Sequence, residues 1–255
     1  MFVKTSCCMS SGLTVEWSAA TIVFVCGAVF IAAVLRGITL AAVPLISIAL
    51  SPTEAVVITI LLQCMIGLRD LPVLRHLVAR TTLVTLSVGA LIGTPLGLMT
   101  LYALSADTMR VVIAIIVLLA LLALIRQVRV KPGPRRALAA GVLSGLFSGM
   151  AAMPGPPAVA YLLGTSTPAV QTRATLIIFF FITSLFTLPG LWVQGMLGQP
   201  TLLMAVGSFP LLMIGTHLGG WVFRQLGEGR YEKAAIAMLA ATAILAALRG
   251  VWGLL

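Results

Sequence analysis

The stretch Gly145-Leu-Phe-Ser148-Gly149-Met-Ala-Ala-Met-Pro154-Gly155-Pro156-Pro157-Ala-Val-Ala-Tyr161 decides how this chain folds. It continues an apolar, small-residue run that opens near residue 137 and would otherwise form one helix. Three prolines and a glycine in four positions stop that helix, because proline lacks a backbone N–H and its ring collides with the preceding turn. Apolar sequence then resumes, so the reading is a helix in two arms, 137–153 and 157–164, with a break between them. A second interruption of this kind lies upstream, where Arg36-Gly37 and then Pro44 divide an apolar run into arms near 18–35 and 38–50.

The surroundings of these two stretches suit a bilayer. Of 255 residues, 60% are hydrophobic and 9% charged, which excludes an ordinary soluble domain. A hydrocarbon core about 30 Å thick takes roughly 20 apolar residues per helical crossing, and runs of that order recur from Ala19 onward. Counting runs between breakers gives eight segments: the two broken ones, then 53–68, 81–102, 107–126, 168–192, 200–223 and 232–253. The expected fold class is all-α integral membrane. Residues 1–17 read as an N-terminal extension without the charged region and A-x-A site of a removable signal. Cys7, Cys8, Cys26 and Cys64 have neither C-x-x-C spacing nor paired histidines, so no metal, disulfide framework or other cofactor is implied.

Each broken segment opens one half of the chain. Gly93-Thr94-x-x-Gly97 with Leu104 seven residues on is matched by Gly215-Thr216-x-x-Gly219 with Leu226. Ser51-Pro52-Thr53 after the first broken segment resembles Ser166-Thr167-Pro168 after the second. The expected organisation is a transmembrane repeat of four segments over 18–126, a basic cytoplasmic linker at 127–136 and a second four-segment repeat over 137–255. The first segment of each repeat is a broken or re-entrant helix.

Charge discriminates between re-entry and crossing. If both broken segments turn back, one side holds Arg69, Arg75, Arg80, Arg126, Arg129, Lys131, Arg135, Arg136, Arg173, Arg224, Arg230 and Lys233, twelve cations against Lys4, Arg110 and Arg249. If both cross, the split is ten to five. Cytoplasmic loops collect Lys and Arg, which favours re-entry, termini outside and two inverted halves. Trp17, Tyr102, Trp192 and Trp252 then share the outer interface, where amphipathic rings settle. The same loops account for the net charge of +10 without nucleic acid.

Inverted repeats with discontinuous helices are a transporter design, since a break at membrane depth frees backbone groups that a polar cavity or ligand must satisfy. The helix N-termini at Thr39-Leu40-Ala41 and Pro156-Pro157-Ala158 suit an anion. Arg36, at the first break, either snorkels from a helix end or faces that anion, and the cost of an intramembrane cation favours the second role. Arg173 reads first as an interfacial anchor and second as a substrate contact. Ser51-Pro52-Thr53-Glu54 reads as a capping box with proline at the first helical position, which makes Glu54 a cap and not a proton carrier. No carboxylate lies deep in a span. His217, of a residue type that exchanges protons near neutral pH, is the candidate for coupling, with helix packing as its plainer explanation. Gly89-x-x-x-Gly93-x-x-x-Gly97, Gly141-x-x-x-Gly145-x-x-x-Gly149 and Gly215-x-x-x-Gly219 read as stripes of close helix packing, with Gly149 also near enough to the break to admit substrate to the backbone.

At these breaks the sequence resembles the sulfite exporter TauE/SafE family, whose members carry two copies of a glycine-rich broken-helix motif. Residues 145–161 are similar to its pattern G-x-x-S-G, a glycine cluster, G-P-P and a short apolar helix. Arg173-Ala-Thr-Leu-Ile-Ile-Phe-Phe is similar to a run in one branch. Leu35-Arg36-Gly37-Ile38-Thr39 with Pro44-Leu45 matches the first copy, and Gly93-Thr94-Pro95-Leu96-Gly97 matches the third-segment motif. Departures are Leu40-Ala41-Ala42, where a G-F-G-like cluster is usual, and Ala151-Ala152, where glycines are.

The resemblance implies a multi-pass protein of the bacterial inner membrane that moves a small sulfur-containing anion, such as sulfite, an organosulfonate or thiosulfate, commonly outward. It implies no enzyme. Its site residues, carried onto the matching motifs, are Arg36, Gly37, Thr39, Ser148, Gly149, Gly155 and Pro156. The expected partners are the anionic substrate and the bilayer, and a homo-oligomer is compatible with the sequence. The alternatives are a passive anion channel and, less favoured, a membrane-embedded serine protease pairing Ser148 or Ser144 with His217. Against the protease, the serine stands in G-x-x-S-G and not G-x-S-G.

Overall fold

The computed structural model describes residues 19–34, 42–43, 45–47, 50–126, 131–165 and 167–226. Among them every regular element is helical. The helices are α1 (Ala19–Val34), α2 (Pro52–Leu74), α3 (Arg80–Ala103), α4 (Ala106–Ile125), α5 (Pro134–Ala151), α6 (Gly155–Leu162), α7 (Ala169–Val193) and α8 (Gln199–Leu226). Residues 42, 43, 45 and 46 are also helical. Residues 52–74, 80–103, 170–193 and 199–219 are long and apolar enough to cross a membrane, and Ala20–Ala33 is a shorter apolar helix. The segment expected at 232–253 lies outside the described residues.

Local sequence explains the helix ends. Ser51 caps α2: its hydroxyl accepts from the Glu54 N–H, Pro52 occupies the first turn, and the Glu54 carboxylate accepts from the Ser51 N–H at 3.1 Å. Glu54 is therefore a cap, as its spacing from Ser51 predicts. α2 runs six residues past the expected end at 68, to Leu74, through Arg69 and Asp70, whose side chains pair at 3.0 Å. α5 starts with Pro134 in its first turn and ends where Ala152 enters the left-handed region.

Three pairings organise the bundle. α3 and α5 lie parallel, the most extensive contact in the described structure. A Cβ added at Gly89, Gly93 or Gly97 would come within 3.0 Å of backbone at Leu138, Val142 or Leu146, and one at Gly141, Gly145 or Gly149 within 3.0 Å of backbone at Leu86, Ala90 or Thr94. The two glycine stripes therefore interlock, each helix presenting its bare backbone to the carbonyls of the other. α1 and α8 are also parallel: the Cys26 sulfur sits 3.8 Å from the Ser208 hydroxyl, and Gly215 faces Phe30 and Ala33. α2 and α7 are antiparallel, with Gly67 against Phe181 and Gln63 against Ser184.

These directions set two ends. The turn from α2 to α3 meets the start of α7 through the Ala79 N–H, which donates to the Thr175 hydroxyl at 3.0 Å. At the same end α5 begins. Arg75, Arg80, Lys131, Arg135, Arg136 and Arg173 therefore gather there, while Gly190 and Trp192 of α7 lie at the end where Leu98 and Tyr102 close α3. Valines and leucines such as Val73 and Leu203, 72% and 73% exposed, form the outer surface that the bilayer covers.

Candidate functional site

The break in residues 145–161 is present and buried. Ala152 has φ 52°, the one positive value at a non-glycine among the described residues. A left-handed L-residue costs about 1–2 kcal/mol, and glycine, which avoids that strain, is the residue the broken-helix pattern usually places here. The Ala152 N–H donates to the Ser148 carbonyl at 2.9 Å and the Met153 N–H to the Phe147 carbonyl at 3.2 Å, which ends α5. Pro154 then precedes α6, whose first residues are Gly155, Pro156 and Pro157. With prolines at 154, 156 and 157, only Gly155 and Ala158 carry N–H groups in that first turn. The N-terminus of α6 is thus a sparser donor than its position alone predicts.

α6 folds back along α5. The Tyr161 hydroxyl lies 3.4 Å from both the N–H and the carbonyl of Gly133, just before α5 begins. Tyr161, Leu162 and Ala158 share one buried cluster with Ala137 and Ala140 at the start of α5 and with Leu86 and Phe179. The break itself belongs to the other cluster. Ala151, Ala152 and Met153 are buried there with Ala32 and Ala33 from the end of α1 and with Ala42, Val43 and Ile46 beyond the first interruption.

One residue that sequence reading missed holds the break in place. Gln63, midway along α2 and 4% exposed, donates from Nε2 to the Ala152 carbonyl at 2.8 Å, while its Oε1 accepts from the Ser184 hydroxyl at 3.0 Å. The side chain joins α2, the break and α7. A lone amide in an apolar run carries no periodic signal; its expense at mid-span was the only hint of a role.

The expected site residues separate into three groups. Arg36, Gly37 and Thr39 lie outside the described residues. Ser148, Gly149 and Gly155 are buried at the break and Pro156 is half-buried beside it, so these four are together. Gly149 faces α3, where an added Cβ would meet Thr94 and Leu98 backbone, which makes it a packing glycine. Arg173 is exposed at the start of α7, and His217 is exposed on α8 with its Nδ1 2.9 Å from the Met213 carbonyl. Neither is joined to the break. Ser144 and Ser148 have no hydrogen-bond partner, so the structure makes no serine–histidine pair with His217. Among the described residues no group of His, Cys, Asp and Glu is placed to hold a metal ion.

The arrangement brings hydroxyls, an amide and interrupted backbone together at mid-bundle, with Arg75, Arg80, Arg135, Arg136 and Arg173 at one end and Arg110 toward the other. Among the described residues these groups include no paired nucleophile and base. No curated protein and no solved structure matches the chain at a significant level. A profile described as sulfite exporter TauE/SafE matches residues 19–246, nearly the whole sequence. The chain belongs to the sulfite exporter TauE/SafE family, a family of membrane transporters.

Proposed function

We propose that the protein exports a small sulfur oxyanion, sulfite or an organosulfonate, across the bacterial inner membrane. In this reading it is built from two inverted four-segment repeats, over 18–126 and 137–255, whose first segments re-enter from opposite sides. The observation that carries it is the break at Ala152–Pro154, buried among the residues that flank the first interruption. Backbone interrupted at that depth is tolerated where it lines a binding cavity. Exchange of helix partners supports the inversion: α1 lies parallel to α8 as α5 lies parallel to α3, while α2 and α7 run antiparallel, as a two-fold axis in the membrane plane requires. The return of Tyr161 to Gly133 supports re-entry.

The anion would sit between the two breaks, with Arg36, Gly37 and Thr39 on one side and Ser148, Gly155 and Pro156 on the other. Arg36 supplies the positive charge, and Gly149 keeps α5 close enough to α3 to fix the break. Arg173 attracts the anion at the basic, cytoplasmic end, and His217 is the candidate for proton coupling. Rocking of one repeat against the other would expose the cradle alternately to the two sides.

Uptake of labelled sulfite, sulfoacetate, thiosulfate and sulfate into proteoliposomes, with and without a pH gradient, tests this. The expected result is saturable flux of at least one sulfur anion, exchange across the membrane, and loss of flux in Arg36→Ala with normal insertion. No flux of any of the four contradicts it; flux that neither saturates nor exchanges makes the protein a passive channel.

A further inference from the structure

Buried hydroxyls on apolar helices ordinarily return their proton to the carbonyl a turn earlier, and most do so here. Thr59 donates to the Ala55 carbonyl, Thr94 to Ala90, Thr187 to Thr183 and Ser208 to Met204, all at 2.7 to 2.8 Å. Ser144 and Ser148 do not. Both are 0% exposed and neither hydroxyl has a partner, whereas Ser87 and Tyr102, whose oxygens also lack one, are only half-buried. An unsatisfied hydroxyl in a bilayer interior is expensive, and two in succession one turn apart on one helix call for a partner that is not protein.

Their direction follows from the helix. Residues i and i+4 share a face, so Ser144 and Ser148 extend the face of Ala137 and Ala140, which clusters with Ala158 and Tyr161 of α6, Phe179 of α7, and Leu86 and Ala90 of α3. The glycine stripe, one residue on, faces α3. The hydroxyls therefore lie enclosed on the side of α5 that carries this cluster, below the break. Ser144 stands ten residues into α5, about 15 Å from its basic start, and Ser148 about 6 Å further, one turn before Ala152. α1 has no equivalent: its buried residues are Val25, Ala28, Val29, Ala32 and Ala33.

We propose that Ser144 and Ser148 form a neutral oxyanion-binding station on the inner face of α5, between the basic end of the bundle and the break. Its ligand is a small anion with at least two acceptor oxygens, which takes one O–H from each serine. Two uncharged donors hold such an anion without a counter-cation, weakly enough to pass it on, which is what a translocation path requires. Ser144 is thereby a substrate contact, and the polar half of the path is the half between the basic end and the break. The inference rests on the proposed export of a sulfur oxyanion.

The test is proteoliposome transport of sulfite by wild type, Ser144→Ala and Ser148→Ala, with thermal unfolding of each in detergent with and without sulfite. Each substitution is expected to raise KM about tenfold, to reduce the sulfite-induced rise in Tm, and to leave the ligand-free Tm unchanged or higher, because alanine removes an unsatisfied group. Unchanged KM and unchanged sulfite-induced stabilisation in both variants overturn the station. A fall in ligand-free Tm with KM unaltered also overturns it, since the serines would then be structural. If wild type moves no oxyanion, it is the exporter reading that fails; if wild type transports and both variants match it, the station alone fails.

Discussion

At the scale of single residues, Ala152 is strained at the break and Gln63 anchors it. Ala152 holds a backbone conformation that glycine adopts without penalty, and the Gln63 amide holds its carbonyl. Ala152→Gly should stabilise the protein by about 1 kcal/mol, read as a higher unfolding temperature in detergent. Gln63→Leu should destabilise it by about 1–3 kcal/mol, because the Ala152 carbonyl is left buried without a donor, and should reduce sulfite flux with it. Glu54 makes a contrasting case. Its carboxylate works as a cap, accepting from the Ser51 N–H, and glutamine serves equally in a capping box. Glu54→Gln should leave transport and its dependence on pH unchanged, measured as proteoliposome flux between pH 6 and pH 8; a flattened profile would make Glu54 a proton carrier after all.

At the scale of elements, the glycine stripes explain why α3 and α5 form the tightest pair. Gly93 and Gly145 have carbonyl oxygens where a side chain would start, at Val142 and Ala90, whereas Gly27 and Gly207 have nothing within 4 Å. Gly93→Ala or Gly145→Ala should force the helices apart and cost about 1–3 kcal/mol or more, seen as lower yield and unfolding temperature. Gly27→Ala and Gly207→Ala should be neutral or slightly stabilising. Equal tolerance at all four positions would mean that the two helices are not in backbone contact. This is also where the sequence was most and least legible. Pro154-Gly155-Pro156-Pro157 announces its own break, and Ser51 to Glu54 its own cap, because both are local chemistry. The stripes announce close packing but not the partner, since which helix meets Gly93 depends on residues some fifty positions away. Gln63 and the unsatisfied state of Ser144 depend on neighbours from three helices, and no spacing encodes them.

At the scale of the whole molecule, the helix directions place Arg75, Arg80, Arg135, Arg136 and Arg173 at one end and Trp192 at the other, an asymmetry of the kind that marks a cytoplasmic side in membrane proteins. Single cysteines at His76, exposed in the turn after α2, and at Gly198, in a chain freed of its native cysteines, should label from the cytoplasmic and outer sides respectively with an impermeant thiol reagent. Gly198 labelled from the cytoplasm would reverse the inversion of the halves. In the proposed mechanism an oxyanion rests against broken helices inside the bilayer. Selenite, the heavier isologue of sulfite, provides the direct measurement: anomalous diffraction from crystals of the protein grown in lipid with selenite. A selenium peak is expected within hydrogen-bonding distance of the α5–α6 segment, at Ser148 and the Gly155 N–H. A peak confined to the arginines of the basic end, with none at the break, would contradict it.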